Sequence, residues 1–354
     1  MTEKYSLWDE LKSTDKPIII YGTGNGADKI FDVLEACEIT PSDVFASDGF
    51  VRDRMFRGYH VLSYSDIINK YGNEITVLVA FGTVLPDVIS FIRELDSKHD
   101  LLVPDVPLYG GDLFDYGYFT DHNEMLKNAA SLLSDERSMK LFNDAVDFRL
   151  TGKLKYLDTT DDIKETLKTL FSGKKIKSVI DGGAFKGDST ELFCECFSPE
   201  IIYAVEADRR TYIKLEKYVE GENRTKVVPV CAALSNKDGI TSYISSSSRG
   251  SGEQGRNRRS KLVSVDEKTI DSILNGEKID FIKLDVEGAE KVSLEGAKQT
   301  IKNYQPDLAV SLYHRTDDLY ELIEYVHKVL PSHKLYLRRV PCIPLWDLVL
   351  YAIK

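Results

Sequence analysis

Four acids and one histidine in the second half of this 354-residue sequence directly follow short apolar runs. They are Asp181 in VIDGGAFKGDST, Glu206 in IYAVEAD, Asp285 and Glu287 in FIKLDVEGAE, and His314 in SLYH. A histidine's ordinary pKa lies nearest to neutrality, so His314 is the first candidate for a general base and Asp285 or Glu287 the second. Asp285 and Glu287 could also orient an amine or ligate a metal. No closed ligand set is visible in the spacing, so none is assigned.

The turn after Asp181 narrows the ligand. Gly182, Gly183 and Gly187 allow a sharp bend and a close backbone approach, and Asp188, Ser189 or Thr190 can cap the helix that follows. A dinucleotide turn offers bare helix N–H groups to phosphates, and a carboxylate there would repel them. S-adenosylmethionine carries an ammonium and a sulfonium but no phosphate, so an acidic turn suits it. Glu206 lies 23 residues after Gly183, where a carboxylate accepts both ribose hydroxyls. Ala232 and Ala233 end the next apolar run.

These residues need a parallel sheet to bring them together, because ligands of open α/β sheets bind beyond the carboxyl ends of the strands. From residue 176 the runs KSVIDGG, IIYAVEA, KVVPVCAAL, DFIKLDVEG and DLAVSLYH read as parallel strands. KLYLRRV and DLVLYAI read as a terminal antiparallel hairpin at a sheet edge, with Pro341 and Pro344 between them. Residues 1–110 contain a smaller series: PIIIY, a glycine turn, a helix, then DVFASD and ITVLVAFG as strands. Residues 111–175 are helical by periodicity. The expected fold is therefore α/β: a small Rossmann-like domain (1–110), a helical connector or cap (111–175), and a Rossmann-like domain with a mostly parallel seven-stranded sheet (176–354).

DGGAFKGDST, VEAD, DFIKLDVEGAE, LEGAKQTI and LYLRRV…DLVLYAI together resemble the FkbM family of methyltransferases over essentially all of 176–354. That resemblance implies S-adenosylmethionine as methyl donor and S-adenosylhomocysteine as product. It also implies a hydroxyl acceptor on a sugar, glycan precursor or natural product, as in polysaccharide biosynthesis. Asp181, Gly183 and Gly187 match the family's cofactor turn, with Ala184 in the same motif. Glu206, followed by Ala207 and Asp208, matches the ribose acid. Asp285 matches the residue facing both cofactor and acceptor, and His314 a pattern of the sugar-pathway members.

In the first domain, Gly22, Gly24 and Ala27 hold the G-x-G-x-x-A spacing, and Asp48 follows Gly24 by 24 residues. That arrangement fits a nucleotide or sugar-nucleotide site, or a domain serving dimerisation, docking or acceptor positioning. The module also resembles those attached to sugar-modifying enzymes. Residues 245–261, SSSSRGSGEQGRNRRSK, read either as a mobile surface loop or as a lid whose Arg249, Arg256, Arg258 or Arg259 meets an anionic acceptor. The net charge is −11, of which residues 1–110 carry −8, which argues against nucleic acid as partner. Five scattered cysteines argue against a disulfide framework. With no apolar span and no signal-like start, the expectation is a cytoplasmic protein, with a homodimer compatible. Two whole-chain alternatives are an NAD or sugar-nucleotide enzyme centred on the first domain and a catalytically silent scaffold. Nicotinamide binding would mark the first and inertness towards S-adenosylmethionine the second.

Overall fold

A computed structural model describes residues 5–47, 51, 54–107, 109–222, 224–245 and 261–354. The N-terminal part contains α1 (Leu7–Ser13), β1 (Ile18–Tyr21), α2 (Asn25–Ala36), β2 (Asp43–Phe45), β3 (Met55–Phe56), β4 (Tyr59–Leu62), α3 (Tyr64–Tyr71), β5 (Thr76–Val79), α4 (Pro86–Asp96) and β6 (Asp100–Leu102). Its six-stranded sheet has the order β3-β4-β2-β1-β5-β6 and is parallel except for β3 against β4. The chain leaves β1 towards β2 on one side and returns to β5 on the other, so the carboxyl end of β1 is a topological switch point.

Three helices follow: α5 (Tyr116–Ser131), α6 (Glu136–Thr151) and α7 (Ile163–Leu170). Asp135 and Asp162 cap α6 and α7 by accepting from the N–H of Ser138 and Glu165. On α6, the buried Arg149 reaches both flanking sheets. It pairs with Asp105 at 3.2 Å, and it donates to the carbonyls of Thr316 at 2.8 Å and Leu312 at 3.3 Å.

The C-terminal part runs β7 (Ser178–Gly182), α8 (Asp188–Phe197), β8 (Ile201–Val205), α9 (Arg209–Gly221), β9 (Lys226–Val230), β10 (Ala233–Leu234), β11 (Gly239–Ser245), β12 (Lys261–Lys268), α10 (Ile270–Leu274), β13 (Phe281–Leu284), α11 (Glu290–Glu295), α12 (Lys298–Tyr304), β14 (Asp307–Ser311), α13 (Asp318–Val329), β15 (Lys334–Arg339) and β16 (Leu348–Ile353). Its seven-stranded sheet has the order β15-β16-β14-β13-β7-β8-β9, and β16 is antiparallel to both of its neighbours. The terminal hairpin is thus present, with β16 inside the sheet and β15 at its edge. Here the switch point is the end of β7, between β8 and β13. The central strands are buried on both faces, as parallel strands flanked by helices require.

The stretch LVSVDE precedes α10 and the central strand β13. It lies within β12, which pairs antiparallel with β11, Gly239 opposite Glu267, and extends a small three-stranded sheet through β10. No described helix is long and apolar enough to cross a membrane. All five cysteines are free.

Candidate active site

At the end of β7 the chain must turn under the β13 end. Gly183 takes φ +72°, and a Cβ there would lie 1.9 Å from the carbonyl oxygen of Asp285, so only glycine fits. Its N–H and that of Ala184 donate to the Val205 carbonyl. Asp181 is fully buried behind the turn. It accepts from Ser189 Oγ at 2.8 Å and Thr190 Oγ1 at 2.6 Å, and lies 3.2 Å from Lys283 Nζ. Ser189 and Thr190 therefore do not cap α8, whose N-cap is Gly187 with no side-chain bond, and neither does Asp188, which is exposed. The hydroxyls turn inward because a buried carboxylate needs donors more than a solvated helix end does.

Lys283, which the sequence reading passed over, completes this support. The β13–β7 register places it beside Asp181, and its Nζ also donates to the carbonyls of Gly182 at 3.1 Å and Gly183 at 2.8 Å. Burial pulls its pKa down, but Asp181 and Asp285 more than offset this and hold it above the usual lysine value.

Glu206 directly follows β8 and is 9 % exposed. Its Oε2 accepts from the Phe185 N–H at 3.0 Å and its Oε1 from the Asp208 N–H at 2.7 Å. One lone pair on each oxygen remains for a ligand hydroxyl. Burial pushes its pKa up to about 7, against the pull of those two N–H groups. Asp208 in turn caps α9, accepting from Arg210 and Thr211.

Asp285 and Glu287 lie in the turn after β13, where Glu287 itself adopts φ +57°. A non-glycine residue held there costs about 1 kcal/mol or more, a strain that concentrates at functional sites. Asp285 Oδ1 accepts from Ser311 Oγ at 3.0 Å and Tyr313 Oη at 2.8 Å. Burial raises the Asp285 pKa, but Lys283, His314 and these hydroxyls bring it below the ordinary value.

His314 is 2 % exposed, and its Nδ1 lies 2.8 Å from Glu290 Oε1, which also accepts from the Val286 N–H. Its Nε2 lies 3.5 Å from Asp285 Oδ1 and 3.6 Å from Glu287 Oε2. Burial alone would lower its pKa, but Glu290, Asp285 and Glu287 raise it to about 10. As an imidazolium near neutrality, His314 is a poor proton acceptor. This reverses the order expected from its ordinary pKa: the carboxylates Asp285 and Glu287 become the better base candidates. Glu290, missed in the sequence, reads there as an ordinary first-turn helix acid.

A cavity of about 1150 Å³ joins these groups to the N-terminal sheet. Of the residues singled out by the sequence, Gly183, Ala184, Asp188, Ser189, Glu206, Ala207 and Asp208 line it. So do Ala232, Ala233, Asp285, Glu287 and His314. Asp181, Gly182, Gly187 and Thr190 stand behind the wall. The opposite wall comes from the β1 switch point and neighbouring loops: Gly24, Gly26, Lys29, Phe81, Thr83 and Tyr109. Gly22 supports that wall without lining it, at φ +121° against Phe81. Trp346, in the β15–β16 connection, closes one side. A Cβ at Gly82 would meet its ring at 2.0 Å, and beside it Thr83 and Ile343 exchange backbone hydrogen bonds of 2.7 and 3.0 Å. Asp48 and the arginines Arg249, Arg256, Arg258 and Arg259 lie outside the described residues.

A seven-stranded sheet of this order, with a glycine turn, a strand-end acid and a facing carboxylate pair at its switch point, defines a Rossmann-like methyltransferase. Residues 181–334 match the model of the methyltransferase FkbM domain. Among solved structures, the chain is similar to a methyltransferase FkbM from Methylobacillus flagellatus KT. The match has 18% identity and a TM-score of 0.68, covering 99% of this chain and 91% of that one. A more distant match is a putative methyltransferase from Streptococcus mutans in complex with SAH, with 14% identity and a TM-score of 0.35, over 55% of this chain and 98% of that one. No curated protein matches the sequence.

Proposed function

We propose that the protein transfers the methyl group of S-adenosylmethionine to a hydroxyl of a sugar, glycan precursor or related natural product. The observation that carries the donor half of this reading is Glu206. Its buried carboxylate keeps one lone pair per oxygen facing the cavity at a switch point, which suits the two hydroxyls of a ribose. The Gly183 turn leaves room for the donor's methionine part, and Asp285 faces its sulfonium.

The acceptor occupies the remainder of the cavity, between Asp285 and Glu287 on one wall and the Lys29, Phe81 and Trp346 side on the other. In the transfer, a bond forms between acceptor oxygen and methyl carbon as the carbon–sulfur bond breaks. The electron pair goes to sulfur, and the hydroxyl proton passes to Asp285 or Glu287 and then to solvent. The protein's main contribution is to hold oxygen, carbon and sulfur in line.

Calorimetric titration with S-adenosylhomocysteine tests the donor, with NAD and the Glu206→Ala variant as controls. Micromolar binding that is lost in the variant is expected. Binding of NAD alone, or of neither ligand, would overturn the reading and return the search to the N-terminal domain.

A further inference from the structure

We infer that Lys29 and Arg315, reaching the cavity from its two opposite walls, bind a phosphate ester group of the methyl acceptor. The inference rests on the methyl-transfer reading above and narrows its acceptor to a phosphorylated molecule.

Arg315 directly follows His314 and lines the cavity. Its backbone N–H donates to Asp318 Oδ2 and its Nε to the Gly288 carbonyl, both at 2.8 Å. Among the described residues no carboxylate forms an ion pair with its guanidinium. One of the five guanidinium N–H groups is thus used to fix the fork, and those on the two Nη atoms are left for a ligand. A guanidinium anchored in this way is set for a two-point grip on a flat or tetrahedral oxyanion.

Lys29 enters from α2 on the N-terminal wall. Helical side chains lean towards the helix N-terminus, which here carries Gly24, Asn25 and Gly26 along the same cavity. The Lys29 Nζ lies 3.5 Å from the Pro107 carbonyl and 5.9 Å from the Tyr109 ring centre. Burial pulls its pKa down by more than Glu287 pulls it up. The acids in place therefore do not offset the cost of burying this charge, and an anionic ligand would.

Tyr109 joins the two cations. Gly288 takes φ +90°, and a Cβ there would stand 3.1 Å from Tyr109 Cβ and 3.2 Å from Arg315 Nε. Arg315, Gly288, Tyr109 and Lys29 thus form one row across the seam. A carboxylate would neutralise only one of its two charges, whereas a phosphate monoester carries about −1.5 to −2 near neutral pH. Its tetrahedral oxygens also meet a fork and an ammonium that approach from different directions. The cavity of about 1150 Å³ exceeds the roughly 300–1,000 Å³ of a single small-molecule site, so donor and phosphorylated acceptor fit side by side. Asp285 and Glu287 then attend the acceptor's hydroxyl end.

Calorimetric titration of the full chain, with and without S-adenosylhomocysteine, tests the site against pyrophosphate, glucose 1-phosphate, UDP-glucose and glucose. The three phosphate compounds are expected to bind and glucose at the same concentrations not to. Their affinities should be at least tenfold weaker in Lys29→Gln and in Arg315→Gln, with S-adenosylhomocysteine affinity within twofold of wild type in both. Lys29 belongs to the other wall, so its variant decides the matter should Arg315→Gln fail to fold. UDP-glucose binding more tightly than glucose 1-phosphate would assign a sugar nucleotide, and the reverse order a sugar phosphate; either upholds the site. Absence of binding by all three phosphate compounds, equal binding in wild type and variants, or glucose binding as tightly would overturn it. Protein that binds S-adenosylhomocysteine but no phosphate compound removes only this site; protein that binds phosphate compounds through these residues but no S-adenosylhomocysteine removes only the donor reading.

Discussion

The backbone N–H of Phe185 donates to Oε2 of Glu206 at 3.0 Å, tying the turn after β7 to the end of the neighbouring strand. The bond holds the carboxylate at the cavity edge, while burial pushes its pKa up to about 7. A ribose donating two hydroxyls needs the ionised form, so ligand binding must expel the proton. S-adenosylhomocysteine affinity should be flat above pH 7 and fall about tenfold per unit below it. Glu206→Gln should bind at least tenfold more weakly at pH 8 and lose this slope. Calorimetry between pH 5.5 and 8.5 reads both, and a slope retained in the variant would reject the assignment.

The same group affects the unliganded fold with the opposite sign. Its folded pKa lies above the ordinary carboxylate value, so its favourable contribution is complete below pH 4.5 and is lost as pH rises through about 7. Glu206→Gln should therefore be more stable than wild type at pH 8 without ligand, with the gap narrowing towards pH 5. Urea unfolding at the two pH values measures it.

Lys283 and Asp181 form a support whose halves need each other. Lys283→Met strands the fully buried Asp181 and unties the carbonyls of Gly182 and Gly183. A loss of about 3–5 kcal/mol is expected. The double variant Lys283→Met with Asp181→Asn should recover part of it, which a denaturation cycle would show. Simple additivity of the two changes would mean that the pair is not coupled.

Gly183→Ala should cost at least about 2 kcal/mol and abolish donor binding, because the new Cβ would stand 1.9 Å from the Asp285 carbonyl and φ is +72°. Thermal unfolding with and without S-adenosylhomocysteine distinguishes it from a neutral change.

Lys29 enters the cavity from α2, with its Nζ 5.9 Å from the Tyr109 ring centre. Burial lowers its pKa, while Glu287 across the cavity raises it. Lys29→Met should raise the acceptor KM at least fivefold and leave S-adenosylhomocysteine affinity within twofold. An unchanged KM would place the acceptor away from the N-terminal wall.

What the sequence disclosed follows from periodicity. Apolar runs ending in Asp181, Glu206, Asp285 and His314 could only converge at one edge of a parallel sheet. Lys283 was hidden because FIKL alternates like a half-buried strand, and only the register with β7 shows that its amine faces a buried acid. Ser189 and Thr190 look like caps in any local reading. The acidity of His314 is not legible in the sequence because it is set by three carboxylates, Glu290, Asp285 and Glu287, that only the fold brings to its ring. The β11–β12 hairpin escaped because its strands are separated by a long Ser- and Gly-rich segment. The meeting of two switch points across one cavity depends on docking between sheets, which no local pattern encodes.

The paired bonds between Thr83 and Ile343, with Trp346 seated on Gly82, rivet the N-terminal wall to the connection at the far edge of the catalytic sheet. The gap between the two walls is therefore a set calliper. Under the methyl transfer proposed above, a molecule that touches both jaws would present its oxygen to the donor at the correct depth. A shorter one rattles, and a longer one stalls short of the methyl group. Selection among acceptors then follows overall span as much as the chemistry at the reacting oxygen.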